Sequence, residues 1–503
     1  MPGSASRAQG VPGVMWAFAL LFFLKAAALA LFVTPLWDVP DEVGHFAYIA
    51  DIADGRGLPR VGQSTIPPAL VAAWKRGGGD APTPNWIAIH PPGYHLAAVP
   101  FLWAARVMTG NLAWQVRLTR LSSALFGAAA LPVFFLILRQ AGADPLAAMA
   151  AAAAVGFVPM YSHMSAGVSN DVLSALLGGL AALFWTRLLR AHDPADATRL
   201  GIALAAGAAV KLTAVPLALA WLLLLPFHLP GAASRRALRS LATAAIAFSL
   251  PALWVLRQWR LGGRGGVHPL SGETLDPTAL LAFLRSNPVA DHTFKNFFGL
   301  IGWTGTGGGT VRWFQVSGPF LTIYLVLLLA LALDAILWCA HQERLWPAGL
   351  WAKASWVLFA IVFLLAFETS RTGTGGAGAA AKALVYGSLV AVPFLSVTRV
   401  WRTNTSSGGA LVFSAQFAIL VFLAFYTGIL WEAFQSAGQM RATHGRYFFG
   451  VIGALLLAFV LPTAELWPAR PLRNRLCLLI LAALAANELL FFFLKVLPFY
   501  AHV

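Results

Sequence analysis

The chain has 503 residues, 59% of them hydrophobic and 11% charged, with a mean hydropathy of +0.73. That composition excludes a soluble globule and points to an integral membrane protein. The formal net charge of +16 is broken into short clusters between apolar runs, such as Arg187 with Arg190, then Arg235, Arg236 and Arg239, Arg399 with Arg402, and Arg470, Arg473 and Arg475; it reads as topology information, with no nucleic-acid partner.

Apolar runs of about 17 to 22 residues recur from Val14 to Leu494, and at about 1.5 Å per residue each can cross a hydrocarbon core of about 30 Å. They lack the polar–apolar alternation of an outer-membrane barrel, so the spans are helices. The fold class expected is an all-α integral membrane protein of about thirteen transmembrane helices, at 14–33, 118–138, 145–162, 170–190, 198–210, 213–227, 240–257, 318–338, 352–367, 379–397, 410–431, 447–463 and 475–494. With the basic clusters inward, the N-terminus lies inside and the C-terminus outside. The first span follows a short leader containing Arg7 and lacks a clean small-residue cleavage site, so it reads as a retained anchor. Lys25, in its middle, is expected to point into the bundle and bond a carbonyl or an acid. Cys339 and Cys477 fall near basic span ends and imply no disulfide framework.

Three regions result: an N-terminal membrane module over 1–257 with a first outer loop at 34–117, an outer loop at 258–317, and a C-terminal membrane module over 318–503. Apolar pieces of the first outer loop, "IPPALVAAWKR" and "PPGYHLAAVPFLWAARV", read as helices lying in the interface. The glycine-rich stretches "TGTGGG" from Thr304 and "TGTGGAG" from Thr372 open no strand–turn–helix unit and read as mobile loops.

Acidic and imidazole groups crowd the start of the first outer loop, in "TPLWDVPDEVGHFAYIADIADGRGLP" from Thr34. One reading is local: Pro40 fits a first helical turn, Asp38 can cap it, and Asp41 and Glu42 complement the positive end of the helix dipole. However, Asp41, His45 and Tyr48 also follow at i, i+4 and i+7, which puts an acid, an imidazole and a phenol on one helix face. Further polar residues come from the outer side of other spans. Asp171 in "GVSNDVLSALL" opens a span, Lys211 in "AVKLTAVP" lies between two short spans with no acid nearby in sequence, and His90, Arg441, His444, Arg446 and Tyr447 face outward. Each taken singly has an ordinary interface or capping role. Together they oppose carboxylates to cations, as a reaction on an anionic lipid requires. Sugar transfer from a polyprenyl phosphate needs one base and no general acid, because the leaving phosphate is already stable as an anion; a glycosidase must protonate its leaving oxygen with a second carboxyl group.

The stretches "PDEVGHFAYIADIADGRGLP", "HPPGYHLAAVPF", "VSNDVLSALL", "AVKLTAVPL", "FFGLIGW" and "HGRYFFGVIGALL" occur in this order. The chain thereby resembles the bacterial multi-span glycosyltransferases of the GT-C superfamily. It is most similar to a large, poorly characterised bacterial group of that clan, and more distantly to the lipid A aminoarabinose transferases and the protein O-mannosyltransferases. The resemblance implies an inverting transferase of the bacterial inner membrane with its site at the periplasmic or outer face. Its partners would be a polyprenyl-phosphate sugar donor and a lipid, glycan or protein acceptor. It further implies Asp41 as catalytic base with Glu42 beside it, and His45, Tyr48, His90, Asp171, Lys211, Arg446 and Tyr447 as substrate-binding residues. Where relatives often carry another basic residue before the double proline, this chain has His90. Some relatives use a divalent cation, for which Asp41, Glu42 and His45 are candidate ligands without the spacing of a Cys/His zinc motif. The rival readings are a transporter or flippase of lipid-linked glycans and a non-catalytic scaffold in envelope polysaccharide assembly. A carrier would favour midplane polar residues and repeat symmetry, whereas here most of the polar residues lie at the outer edge and no repeat is visible.

Overall fold

The computed structural model describes residues 10–75, 83–261, 289–302, 314–342, 407–437, 444–466 and 470–501. The expected spans at 352–367 and 379–397, both glycine-rich stretches, Arg441 and most of the 258–317 loop lie outside the described residues. Among the described residues the architecture is all-helical apart from two antiparallel strand pairs of two residues each. Eight helices among the described residues are long and apolar enough to cross a membrane: Gly13–Val33, Leu112–Gln140, Asp171–Ala191, Ala233–Arg260, Pro319–Trp338, Gly408–Leu430, Gly445–Leu466 and Pro471–Ala501.

The expected count of about thirteen is not reached by these helices, for two physical reasons and because the described residues do not cover every expected span. The span expected at 145–162 is two helices, Pro145–Gly156 and Pro159–Ser165, bent by 64°; Pro159 has no N–H to continue the first helix. The short spans expected at 198–210 and 213–227 are Pro194–Val210 and the apolar helix Leu212–His228, both under 18 residues. They are interrupted at Lys211, whose backbone is extended. Finally, two expected spans are not among the described residues. In the region expected as the first outer loop, Gly93–Met108 is a helix of 16 residues that buries Tyr94, Val99 and Leu102 and leaves Trp103, Val107 and Met108 exposed.

Asp171–Ala191 is the central helix, with 72% of its apolar window buried against 22% for Ala233–Arg260 and for Pro471–Ala501. Small residues make this possible. A Cβ on Gly178 would collide with the Gly450 carbonyl, and one on Gly453 would stand 2.7 Å from Ala182 Cβ. Helices drawn together by such small-residue stripes gain packing that larger side chains would prevent, and here the stripe seats Gly445–Leu466 against the start of the central helix. In the membrane interior Lys25 Nζ donates to Gly156 O at 2.7 Å and to both Glu488 oxygens at 2.7 and 2.9 Å. A carbonyl and an acid were the expected partners, and the pair ties the first span to the last.

The segment that follows the first span is fixed by a fully buried ion pair. Arg120 Nε and Nη2 donate to Glu42 Oε1 and Oε2, each at 2.8 Å, and the three remaining N–H groups reach the carbonyls of Ala30, Thr34 and Pro35. Glu42 also accepts from the backbone N–H groups of Trp37 and Val168, both at 2.9 Å. All five guanidinium donors are therefore used, and the carboxylate takes four bonds. The expected cap is corrected by this arrangement: the helix begins at Glu42, Pro40 precedes it, and neither Asp38 nor Asp41 caps it through its side chain. Asp38 instead accepts from Tyr500 Oη at 2.5 Å.

Because a buried pair broken from one side leaves an uncompensated charge, Glu42→Ala and Arg120→Ala should each destabilise the protein by about 3–5 kcal/mol. The double variant should lose much less than the sum of the two. Thermal unfolding of the purified variants in detergent measures this, and additive losses would show that the pair is not one unit.

Candidate active site

Asp41 directly precedes the buried Glu42, yet its side chain takes the opposite course. Trp37 and Asp41 both hold left-handed backbone, with φ of 66° and 65°. For a tryptophan this is a strained conformation, costing on the order of 1–3 kcal/mol, that persists only when its surroundings fix it; the bond from its N–H to Glu42 does so. The resulting turn sends Asp41 away from Glu42. Its Oδ2 accepts from Arg446 Nη2 at 2.6 Å and its Oδ1 from Trp86 Nε1 at 3.0 Å.

Arg446 stands in the helical turn Gly445–Val451, which the small-residue stripe holds against the central helix. Its Nη1 donates to Pro40 O at 3.3 Å and lies 3.5 Å from Asp171 Oδ2. Asp171 opens the central helix and accepts at Oδ1 from Lys211, with Ser169 Oγ at 3.1 Å from its other oxygen. The Lys211 ammonium also lies 4.5 Å from the centre of the Tyr447 ring. A continuous line of alternating charge results, running Asp41, Arg446, Asp171, Lys211. Asp171, Lys211 and Arg446 are buried, and the Asp41 side chain is 24% exposed. The Nε–H of Arg446 is buried with no hydrogen-bond partner among the described residues.

Beside this line lies a stack of neutral rings. His45 Nδ1 and His95 Nε2 are 3.0 Å apart, Tyr48 stacks on His95 with centroids 3.8 Å apart, and His90 stacks on His45 at 6.0 Å. Gly93 lets this loop approach the helix that ends at Lys211, since a Cβ there would sit 2.6 Å from Ala209 O. From the other side, Trp254 Nε1 and Gln258 Nε2 on the Ala233–Arg260 helix donate to the carbonyls of Ile89 and Ala88.

The electrostatics follow from this packing. Burial alone would raise the Asp41 carboxyl, but the Arg446 guanidinium outweighs it and holds Asp41 well below the usual carboxylate range. Asp41 is therefore ionised at any physiological pH. Burial draws Lys211 below its ordinary 10.5 against the pull of Asp171. Burial, aided by Lys211, brings His90 down to about 4, and burial with a neighbouring imidazole brings His45 and His95 well below 6.5. All three rings are neutral at pH 7.

Of the residues expected at the site, Asp41, Asp171, Lys211, Arg446 and Tyr447 meet directly, and His45, Tyr48 and His90 adjoin them. Glu42 does not join them: its oxygens are occupied by Arg120. For the same reason Asp41, Glu42 and His45 make no metal site, and among the described residues no group of three or more His, Cys, Asp or Glu side chains is placed to hold an ion. Three participants escape a reading of the sequence. Trp86 resembles an ordinary interface anchor, His95 sits inside "HPPGYH" without a marked spacing, and Arg120 looks like any basic residue at a span end.

No family model matches the chain, and no curated protein matches it. Among solved structures, the chain is similar to the S. cerevisiae protein O-mannosyltransferase Pmt1-Pmt2 complex bound to the sugar donor, at 15% identity and a TM-score of 0.37, over 52% of this chain and 35% of that one. It thus spans about a third of that protein's length. It is also similar to ArnT from Cupriavidus metallidurans in the apo state, at 14% identity and a TM-score of 0.33, over 91% of this chain and 77% of that one. At these scores neither likeness bears on activity.

The neutral histidines predict a pH profile. Unfolding frees each ring to take up a proton below 6.5, whereas folded His90 resists until about 4. The stability they supply is therefore complete above 6.5 and is lost as pH falls towards 4. The unfolding midpoint in detergent should drop across that window, and His90→Asn should lessen the drop. A midpoint that stays flat from 6.5 down to 4 would contradict neutral burial.

Proposed function

We propose that the protein is a GT-C-type membrane glycosyltransferase that moves a sugar, with inversion, from a polyprenyl-phosphate donor to an acceptor hydroxyl at the outer face of a bacterial inner membrane. The observation that carries this reading is the line Asp41, Arg446, Asp171, Lys211, assembled from four separate parts of the chain. Its cations suit a phosphate, and the outermost of its four groups is a partly exposed carboxylate.

In the proposed reaction Asp41 accepts the proton of the acceptor O–H as that oxygen forms a bond to the anomeric carbon. The bond from that carbon to the donor phosphate breaks on the opposite face, which inverts the centre. The electron pair departs on the phosphate oxygen, where Lys211 and Arg446 stabilise the added charge. No proton need be supplied to the leaving group. The orphan Nε–H of Arg446 offers such an anion a donor that no protein acceptor uses.

The pairing of Arg446 with Asp41 has a kinetic consequence. A carboxylate clamped by a guanidinium is a weak base, and basicity near the operating pH is what favours proton transfer. A phosphate that draws Arg446 towards itself would loosen the clamp and make Asp41 a better base once the donor is in place. Glu42, enclosed by Arg120 and two backbone N–H groups, positions Asp41 and takes no proton.

Asp41→Asn should reduce single-turnover sugar transfer by about 10²- to 10⁴-fold, the usual worth of a general base. Lys211→Ala and Arg446→Ala should weaken binding of a polyprenyl phosphate. Transfer at the parental rate in the first variant, or unchanged donor affinity in both of the others, would overturn the assignments.

A further inference from the structure

A second polar feature lies at the far end of the bundle from Asp41. The helix Val215–His228 leaves the neighbourhood of Lys211, and its last turn lies 17 residues, or about 25 Å, further along at about 1.5 Å per residue. There Pro226 and Phe227 form one wall of an open hollow of about 490 Å³, and the first turns of Ala233–Arg260, with Arg236, Ser240 and Leu241, form the other.

Three independent properties of this hollow favour an anion. The Ala233–Arg260 helix has no side-chain cap at Ala232 and no acid in its first turn, so its positive end is uncompensated. Arg235, Arg236 and Arg239 pair with no carboxylate among the described residues. Ser240 is only 9% exposed, yet its hydroxyl has no hydrogen-bond partner among the described residues. The rim, by contrast, is apolar: Phe227 is 64% exposed and Leu241 68% exposed. A free inorganic anion would leave that rim unused, whereas an anion carrying hydrocarbon chains uses both.

We propose that this hollow seats the phosphate headgroup of an anionic phospholipid in the leaflet opposite the Asp41 site, with Arg236 and Ser240 at the phosphate and acyl chains along Phe227 and Leu241. The basic clusters at this end identify the leaflet as cytoplasmic. The assignment stands independently of the glycosyl-transfer reading.

Native mass spectrometry of the full-length protein in detergent, titrated with dioleoyl phosphatidylglycerol or dioleoyl phosphatidylcholine, tests it. Phosphatidylglycerol should bind preferentially, and Arg236→Gln should weaken it about fivefold or more, the worth of one basic contact at a charged lipid surface. Ser240→Ala should weaken it in the same direction. Arg475→Gln removes an equal charge from an exposed position on another basic helix end and should have little effect. Equal losses in Arg236→Gln and Arg475→Gln would reduce the effect to diffuse attraction and overturn the site. So would equal binding of the two lipids, or displacement of phosphatidylglycerol by millimolar inorganic phosphate.

Discussion

The candidate site depends on the ion pair between Glu42 and Arg120. In water such a pair is worth little, and in a low-dielectric interior its desolvation cost is offset only when the geometry leaves no donor or acceptor unused. That condition is met here, because five N–H groups meet five acceptors and the carboxylate also receives two backbone N–H groups. The pair ties the end of the first span, the segment that follows it, the Leu112–Gln140 helix and the turn before Asp171 to one point. It also fixes the strained turn at Trp37, and through that turn the direction of Asp41.

Two adjacent carboxylates thus have opposite fates. Glu42 satisfies all its bonds internally and holds the loop. Asp41 is left partly exposed and is paired with an arginine that also lies near Asp171, which in turn holds Lys211. Each charge in this line has a partner of opposite sign, and Arg446 and Asp171 each have two, so the line is stable without ligand. Its arginine nevertheless keeps one donor unsatisfied. Close helix packing at Gly178, Gly450 and Gly453 makes this convergence possible, since bulkier residues would hold Arg446 away from Asp171.

Much of this was legible in the sequence. Apolar run length identified the membrane class and most spans, because the hydrocarbon thickness imposes a length that composition reveals. The isolated Lys211 and the span-opening Asp171 pointed to groups that do meet, whereas the i, i+4, i+7 reading put Asp41 on the helix face of His45 and Tyr48, and its left-handed backbone instead places it just before that helix, turned to Arg446 and Trp86. What could not be read were partnerships between distant residues. Nothing near Arg120 indicates that it will bind Glu42, 78 residues away, and the two acids of "DE" are indistinguishable until a turn separates them. Nor could run length anticipate the break at Pro159 or the capture of Trp86 by Asp41, which depend on how helices pack.

The most direct measurement is a cryo-electron microscopy map of the protein in nanodiscs loaded with a polyprenyl phosphate. The account predicts phosphate density between Lys211 and Arg446, with Asp41 released from the guanidinium and open to the outer face. Phosphate density elsewhere, with Asp41 and Arg446 still joined, would contradict it.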